Sequence, residues 1–283
     1  MLKTLTKLAS CAAMMLGLAA GAAQAAGKDV TIAYVEWSDT VVATNIVKTL
    51  LEEKGYTVKA VPLSAAAMWQ AVASGEADAM LAAWLPTTHG AYYAKLKDDV
   101  VNLGPNATGA KIGLAVPTYV KDVNSIEDLN AHAKEFDDKI IGIDPGAGLM
   151  KATEKAIKDY GLKLKLVEGS DATMTGALKD AYTREQPIVV TAWTPHWMFA
   201  KYKLKYLADP KGVFGGDETV NTIVRKGLEK DMPEVYKILD NFQISLDDEQ
   251  TVMVWNEEKG ANPAATAKKW ITENKAKVDA WLK

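Results

Sequence analysis

Apolar and polar residues follow two periods in this chain, and the two periods succeed one another in a fixed order. Alternation over a few residues predicts strands, and a repeat of about 3.6 residues predicts amphipathic helices. In the first part of the chain the pattern predicts strand 30–37, helix 39–55, strand 56–63, helix 65–75 and strand 77–84. A second set repeats this order as strand 139–146, helix 148–161, strand 162–169, helix 171–185 and strand 187–193.

The two sets, here called the first repeat (30–84) and the second repeat (139–193), share one architecture. Ile32 and Ile141 are 109 positions apart, and so are Trp84 and Trp193. The segments that begin just before those tryptophans also match, as "AWLPTTHGAYYAKLK" and "AWTPHWMFAKYKLK". Strands alternating with helices favour parallel sheets, and two copies favour two α/β lobes. Ligands of such lobes bind beyond the carboxyl ends of strands, where both tryptophans fall.

The remaining segments predict how the lobes are joined. The strand-like segment 111–120 and the Gly- and Pro-rich segment 206–218 are the candidate hinge. We therefore expect one lobe to comprise 26–112 and 213–283, and the other to comprise 113–212. From residue 218 onward the pattern predicts only helices, packed back on the first lobe.

The first 25 residues predict export. They combine two lysines, an apolar run and the small residues Ala23 and Ala25, which is the layout of a secretory signal peptide cut after Ala25. The single cysteine, Cys11, lies in this segment; a lipoprotein anchor there is disfavoured because Cys11 follows Lys7 almost directly. A periplasmic or extracellular protein is expected, and its mature form contains no cysteine for a disulfide.

Composition narrows the class of protein. The chain is 48% apolar and 24% charged, as in globular proteins. Removing the signal peptide takes away two lysines and no acid, so the formal charge changes from −3 to −5. No basic run beyond solvated helix faces remains, which argues against a nucleic-acid partner. We expect a monomer.

Candidate chemistry is concentrated at the predicted strand ends. Trp37, Trp84 and Trp193 each close a strand, and glycines 146 and 148 open the helix that follows "IGIDPG". A helix start with converging amides binds anions, and the glycine spacing is not a dinucleotide or Walker pattern, so a carboxylate fits better than a pyrophosphate. Several tryptophan faces suit a quaternary ammonium, which cannot donate a hydrogen bond. A methylated zwitterion fits both halves of this arrangement.

The stretches "YVEWSD", "AAWLPTTH", "IGIDPGAGLM" and "AWTPHWMFAKYKLKYL" resemble the substrate-binding proteins of glycine betaine and proline betaine ABC transporters (OpuAC-like). The resemblance covers essentially the whole mature chain. It implies a type II periplasmic-binding fold, with two α/β lobes joined by a hinge and a ligand cleft between them. It also implies a betaine ligand, a membrane permease as partner, osmoprotectant or nutrient uptake, and no cofactor.

The resemblance also assigns residues. It implies that Trp37, Trp84 and Trp193 form a cage around the trimethylammonium group. It implies that His89, five positions after the second cage tryptophan, binds the carboxylate together with the backbone amides of Gly148 and Leu149. Leu149 stands where Ile is also usual in the family, a difference that an amide donor does not depend on.

Three further residues have open roles. In related choline-binding proteins an aspartate two residues after the first cage tryptophan accepts the choline hydroxyl, and Asp39 has that position. Asp39 could equally be the N-cap of a helix that starts near Thr40. His196 is a candidate partner of a site residue, and Trp197 either packs beside the cleft or touches ligand.

Other functions compete with betaine binding. A receptor for choline, carnitine, dimethylsulfoniopropionate or trimethylamine N-oxide is the alternative within the class. A secreted enzyme acting on such compounds, with His89 or His196 as general base, is the alternative outside it. The sequence places no Ser-His-Asp or Cys-His set at strand ends and no metal-ligand spacing, so we predict no catalytic residue and no metal.

Overall fold

A computed structural model describes residues 28–283. The signal peptide predicted at 1–25 and Cys11 lie outside these residues. The strands are β1 (Asp29–Tyr34), β2 (Thr57–Pro62), β3 (Ala79–Leu85), β4 (Val100–Pro117), β5 (Lys139–Ile141), β6 (Lys165–Val167), β7 (Val190–Thr194), β8 (Leu204–Tyr206) and β9 (Glu218–Arg225).

Helices separate most of the strands. They are α1 (Ser38–Glu53), α2 (Ala65–Ser74), α3 (Gly90–Leu96), α4 (Gly148–Tyr160), α5 (Asp171–Thr183), α6 (Trp197–Lys201), α7 (Leu228–Asp231), α8 (Pro233–Asn241), α9 (Leu246–Asn256), α10 (Pro263–Glu273) and α11 (Lys275–Trp281). Two short 3₁₀ helices span Ile126–Asn130 and Ala133–Phe136.

The strands of each repeat form a small parallel unit. In the first repeat β1 pairs in parallel with β2 and β3, and in the second β5 pairs in parallel with β6 and β7. The strand order is β2-β1-β3-β9-β4-β7-β5-β6, with β8 on β4. Because the strands of each unit run the same way, their carboxyl ends lie at one edge.

Strand β4 connects the two units. Its first part, 100–110, pairs antiparallel with β9, and its second part, 111–115, pairs antiparallel with β7. The strand therefore begins eleven residues earlier than the sequence pattern predicts at 111. Its passage from one unit to the other falls at the first predicted hinge segment, although the division into lobes remains a prediction.

Strand β9 corrects the prediction that everything after residue 218 is helical. Residues 218–225 read Glu-Thr-Val-Asn-Thr-Ile-Val-Arg, and these β-branched side chains suit a strand. Strand β9 lies between β3 and β4, with both neighbours antiparallel. Residues 218–225 form a strand because both of its edges pair with neighbouring strands, although the segments that follow are helices.

The helices after β9 pack on the first repeat. Both α9 and α10 lie against α1, and α11 packs on α8. Trp69 and Trp270 are among the largest fully buried side chains. Within residues 28–283 no helix combines the length and apolar character needed to cross a membrane.

Candidate functional site

A small cavity lies at the carboxyl ends of β1, β3 and β7. It offers about 310 Å³ of space that protein atoms leave unfilled, part of which is open to solvent. Its lining contains all six residues that the family resemblance assigned to a ligand, together with Asp39. The lining residues are Trp37, Asp39, Trp84, Thr88, His89, Ile112, Ile143, Ala147, Gly148, Leu149 and Trp193.

Two of the three tryptophans occupy equivalent places in the two repeats. Trp84 and Trp193 are the penultimate residues of β3 and β7. Two residues after each tryptophan comes a proline, Pro86 or Pro195, whose preceding peptide bond is cis. Trp37 follows β1 and holds the N-cap position of α1. All three are buried, so their rings line a largely desolvated space.

Two indole N–H groups donate across from one repeat to the other. Trp37 Nε1 donates to Asp144 Oδ1 over 3.1 Å, and Trp193 Nε1 donates to Asp39 Oδ1 over 3.1 Å. Each bond fixes the ring plane and places negative charge at the N–H edge of the indole. Both effects favour a cation at the ring face, because cation–π attraction depends on the negative potential of that face.

His89 is a neutral hydrogen-bond donor. Its Nδ1 accepts the Trp84 backbone N–H over 3.2 Å, which places the ring proton on Nε2. Burial, and to a smaller extent the charge of Lys151, lower the pKa of His89 to about 4. Nε2 is buried and has no hydrogen-bond partner among residues 28–283. Such a donor is costly to leave unpaired, so it favours an acceptor from a ligand in the cavity it lines.

Helix α4 supplies two more donors. It begins at Gly148, and the Gly148 and Leu149 amides, in its first turn, donate to no other group of the described chain. A side chain at residue 148 has no room, because its Cβ would lie 1.9 Å from the Thr88 carbonyl oxygen. The glycine therefore permits the start of α4 to approach the loop that carries His89.

Glu218 holds that loop, and sequence reasoning missed it. The Glu218 carboxylate is buried, and its Oε1 accepts the backbone N–H groups of Thr87 and Thr88 over 2.6 and 2.7 Å. Its Oε2 accepts the Thr88 hydroxyl. The only feature of the sequence that could have indicated Glu218 is the strand pattern at 218–225, which places this carboxylate at the first position of β9. Glu218 positions His89 through the backbone.

His196 and Trp197 lie outside the cavity. His196 Nδ1 accepts the Met198 N–H, and its Nε2 donates to Asp171 over 3.0 Å. Asp171 also accepts the Ser38 N–H and hydroxyl, over 2.9 and 2.6 Å. Burial alone would raise the pKa of Asp171, but these bonds hold it below its ordinary value. His196 therefore supports a second junction between the repeats, and Trp197 packs against its ring.

Asp39 is not the N-cap of α1. The helix begins one residue earlier, at Ser38, with Trp37 in the cap position. Asp39 is buried, and burial raises its pKa to about 6 although its own backbone N–H and Trp193 both favour its charge. It is the one carboxylate that lines the cavity in the described residues.

Among the described residues, only two side chains of the kind that zinc or iron binds, Asp39 and His89, line the cavity. Across residues 28–283 no three His, Cys, Asp or Glu side chains cluster in a way that could hold a metal ion. The arrangement is instead aromatic on one side and rich in N–H donors on the other. It can hold a small molecule that carries a bulky cation and an anionic or polar end.

The model of the substrate-binding domain of ABC-type glycine betaine transport systems matches residues 28–273. The chain belongs to this family. The family consists of transport solute-binding proteins, and the predicted OpuAC-like identity and α/β periplasmic-binding fold are confirmed.

Comparison with a bacterial transport binding protein agrees with this family assignment. The chain is 50% identical over 145 residues to the glycine betaine/carnitine transport binding protein GbuC of Listeria monocytogenes. The aligned residues make up 50% of this chain and 48% of GbuC. The alignment thus spans about half the length of that relative.

Two solved structures cover more of the chain. Lactococcal OpuAC in its closed conformation with glycine betaine is 46% identical with a TM-score of 0.85, covering 90% of this chain and 99% of that one. A choline-binding protein of an ABC transporter, in complex with choline, is 30% identical with a TM-score of 0.83, covering 90% and 92%.

Proposed function

We propose that this chain is the extracytoplasmic solute receptor of an ABC importer and that it binds glycine betaine or proline betaine. One observation carries the proposal: three buried tryptophans and three N–H donors without a partner, from His89, Gly148 and Leu149, line a single small cavity. The aromatic faces suit a trimethylammonium group, and the donors suit a carboxylate.

The magnitudes support micromolar binding. Three desolvated cation–π contacts contribute roughly 1 to 2 kcal/mol each. Hydrogen bonds to a carboxylate contribute roughly 1.5 to 3 kcal/mol each. After ordering costs the remainder is near the ~8 kcal/mol that corresponds to a micromolar dissociation constant.

The proposed lobes, 26–112 with 213–283 and 113–212, would each supply part of the site. Trp37, Trp84 and His89 belong to the first, and Trp193, Gly148 and Leu149 to the second. A ligand that touches both stabilises the closed arrangement by its differential contacts. The monomeric receptor, exported by its signal peptide, would then present this form to the permease.

Choline is the second candidate, because Asp39 lines the cavity and can accept a hydroxyl. A relative at 30% identity is a choline-binding protein. Against choline, the three N–H donors would have no carboxylate to bind. Asp39 is already engaged by Trp193, which leaves it fewer free lone pairs for a ligand.

Calorimetric titration of the purified mature chain with glycine betaine, proline betaine, choline, carnitine and dimethylsulfoniopropionate tests the proposal. We expect the betaines to bind most tightly, with a change in tryptophan fluorescence. Tighter binding of choline than of both betaines would overturn the carboxylate assignment. Binding of none, or consumption of any, would overturn the receptor function.

A further inference from the structure

A further buried carboxyl group lies on α9, a helix that packs against α1. Glu249 is 4% exposed, and Asp39 on α1 is 3% exposed. Burial, and after it the charge of Asp39, raise the pKa of Glu249 well above its ordinary value. Two carboxyl groups buried together cannot both ionise without a large cost, so they titrate as a pair.

The surroundings decide which member carries the charge. Asp39 lies in the first turn of α1, and its carboxylate accepts the Trp193 indole N–H over 3.1 Å. Glu249 has no such support, because its Oε2 is buried without a partner in the described part of the chain. Burial and the neighbouring Asp39 both raise the pKa of Glu249 well above its ordinary value. The proton of the pair therefore resides on Glu249.

Other charged groups act on Asp39 from the elements around it. His196, at the start of α6, favours the ionised form, and Asp171, at the start of α5, disfavours it. Burial is the largest influence and raises the pKa of Asp39 to about 6. This carboxyl group thus changes charge in a range where neither His89, with a pKa of about 4, nor the carboxylate of a betaine does.

We propose that Asp39 and Glu249 together hold one negative charge, kept on Asp39 at the wall of the cage, and that the cationic head of the ligand binds to this charged form, so that binding is coupled to release of the Asp39 proton. The proposal rests on the function proposed above. The step is a proton transfer: the O–H bond of the Asp39 carboxyl breaks, water accepts the proton, and the ligand cation compensates the charge that remains.

The sign of the pH dependence follows. A nearby cation favours the ionised form of Asp39 and so lowers its pKa in the complex. Affinity is then constant above the pKa of free Asp39 and declines as the pH falls below it. With that pKa at about 6 and a lower value in the complex, affinity at about pH 5 is about five- to tenfold weaker than at about pH 7.5.

Calorimetry of glycine betaine binding at both pH values, in two buffers of different ionisation enthalpy, measures affinity and proton release together. We expect the wild-type chain to release a fraction of a proton at the lower pH and almost none at the higher. Asp39→Asn should bind more weakly at the higher pH and should lose the pH dependence. Glu249→Gln should keep the wild-type profile, because Gln carries the charge of a protonated Glu.

The outcomes separate this inference from the proposed function. Asp247→Asn, an exposed residue on the same helix, is the matched control and should follow wild type. Absence of binding at either pH would overturn the proposed function. Binding with the same affinity at both pH values and no proton release would overturn the carboxyl pair alone. A pH dependence that survives in Asp39→Asn, or a Glu249→Gln variant that binds tenfold tighter, would also overturn it.

Discussion

His89→Phe separates recognition of the carboxylate from recognition of the cation. Phenylalanine keeps a ring of similar size beside Trp37, whose ring centroid lies 5.9 Å from that of His89. It removes the unpartnered Nε2–H that we assign to the ligand carboxylate. Because His89 is neutral, the substitution changes no charge at neutral pH.

The expected loss follows from one hydrogen bond. A neutral donor on a charged acceptor contributes about 1.5–3 kcal/mol, which corresponds to a roughly 10- to 150-fold weaker affinity for glycine betaine. The Trp84 N–H also loses its acceptor, the His89 Nδ1. That cost of about 1–3 kcal/mol to stability is small enough for a typical domain to remain folded.

The assay is a pair of calorimetric titrations, with glycine betaine and with choline, and a thermal melt of each protein as a control of folding. Choline has no carboxylate, so its affinity should change much less than that of glycine betaine. Equal losses for both ligands would refute the assignment, since they would indicate damage to the cage. Unchanged affinity for glycine betaine would remove His89 from the site.

Three further predictions follow from single contacts. Gly148→Ala should weaken glycine betaine binding at least tenfold in calorimetry, because its Cβ would meet the Thr88 carbonyl at 1.9 Å, whereas Gly176→Ala on α5 has free space and should bind normally. Glu218→Gln should lower the free energy of unfolding by about 1–3 kcal/mol in denaturant titration, since one amide cannot accept all three hydrogen bonds; unchanged stability would contradict this. The pKa of Glu249 is higher in the folded protein than in the unfolded chain, so its contribution to stability is full below the unfolded pKa and is lost as the pH rises. The melting temperature of Glu249→Gln should therefore increase relative to that of wild type as the pH rises from about 5 to 8. A difference that shrinks over this range would contradict the sign.

Sequence pattern predicted the parts of this site that depend on local order. The repeated strand-helix spacing places Trp84 and Trp193 at the ends of buried strands, and the end of a parallel strand is a ligand site in α/β folds. The glycines after β5 indicate a helix start with free amides for the same kind of local reason. These features are encoded within one repeat, so one sequence suffices to find them.

Contacts that join the repeats could not be predicted in this way. The bonds of Trp37 to Asp144 and of Trp193 to Asp39 connect residues more than 100 positions apart, and their geometry depends on how the two units face each other. Glu218 was missed because β9 was assigned to the helical region, although its alternating residues suit a strand between two partners. The buried Glu249 lies in a helix whose sequence alone does not indicate that it packs against α1, the helix of Asp39.

The central claim is that the tryptophan cage recognises a positive charge and not only a shape. Glycine betaine and 3,3-dimethylbutanoate have the same carboxylate and nearly the same outline, but the second carries a neutral tert-butyl group in place of trimethylammonium. Calorimetric titration of the purified chain with both compounds measures what the positive charge contributes, through the aromatic faces together with the charge of Asp39. Three desolvated aromatic contacts predict that 3,3-dimethylbutanoate binds at least about 100-fold more weakly. Equal affinity for the two compounds would contradict the account.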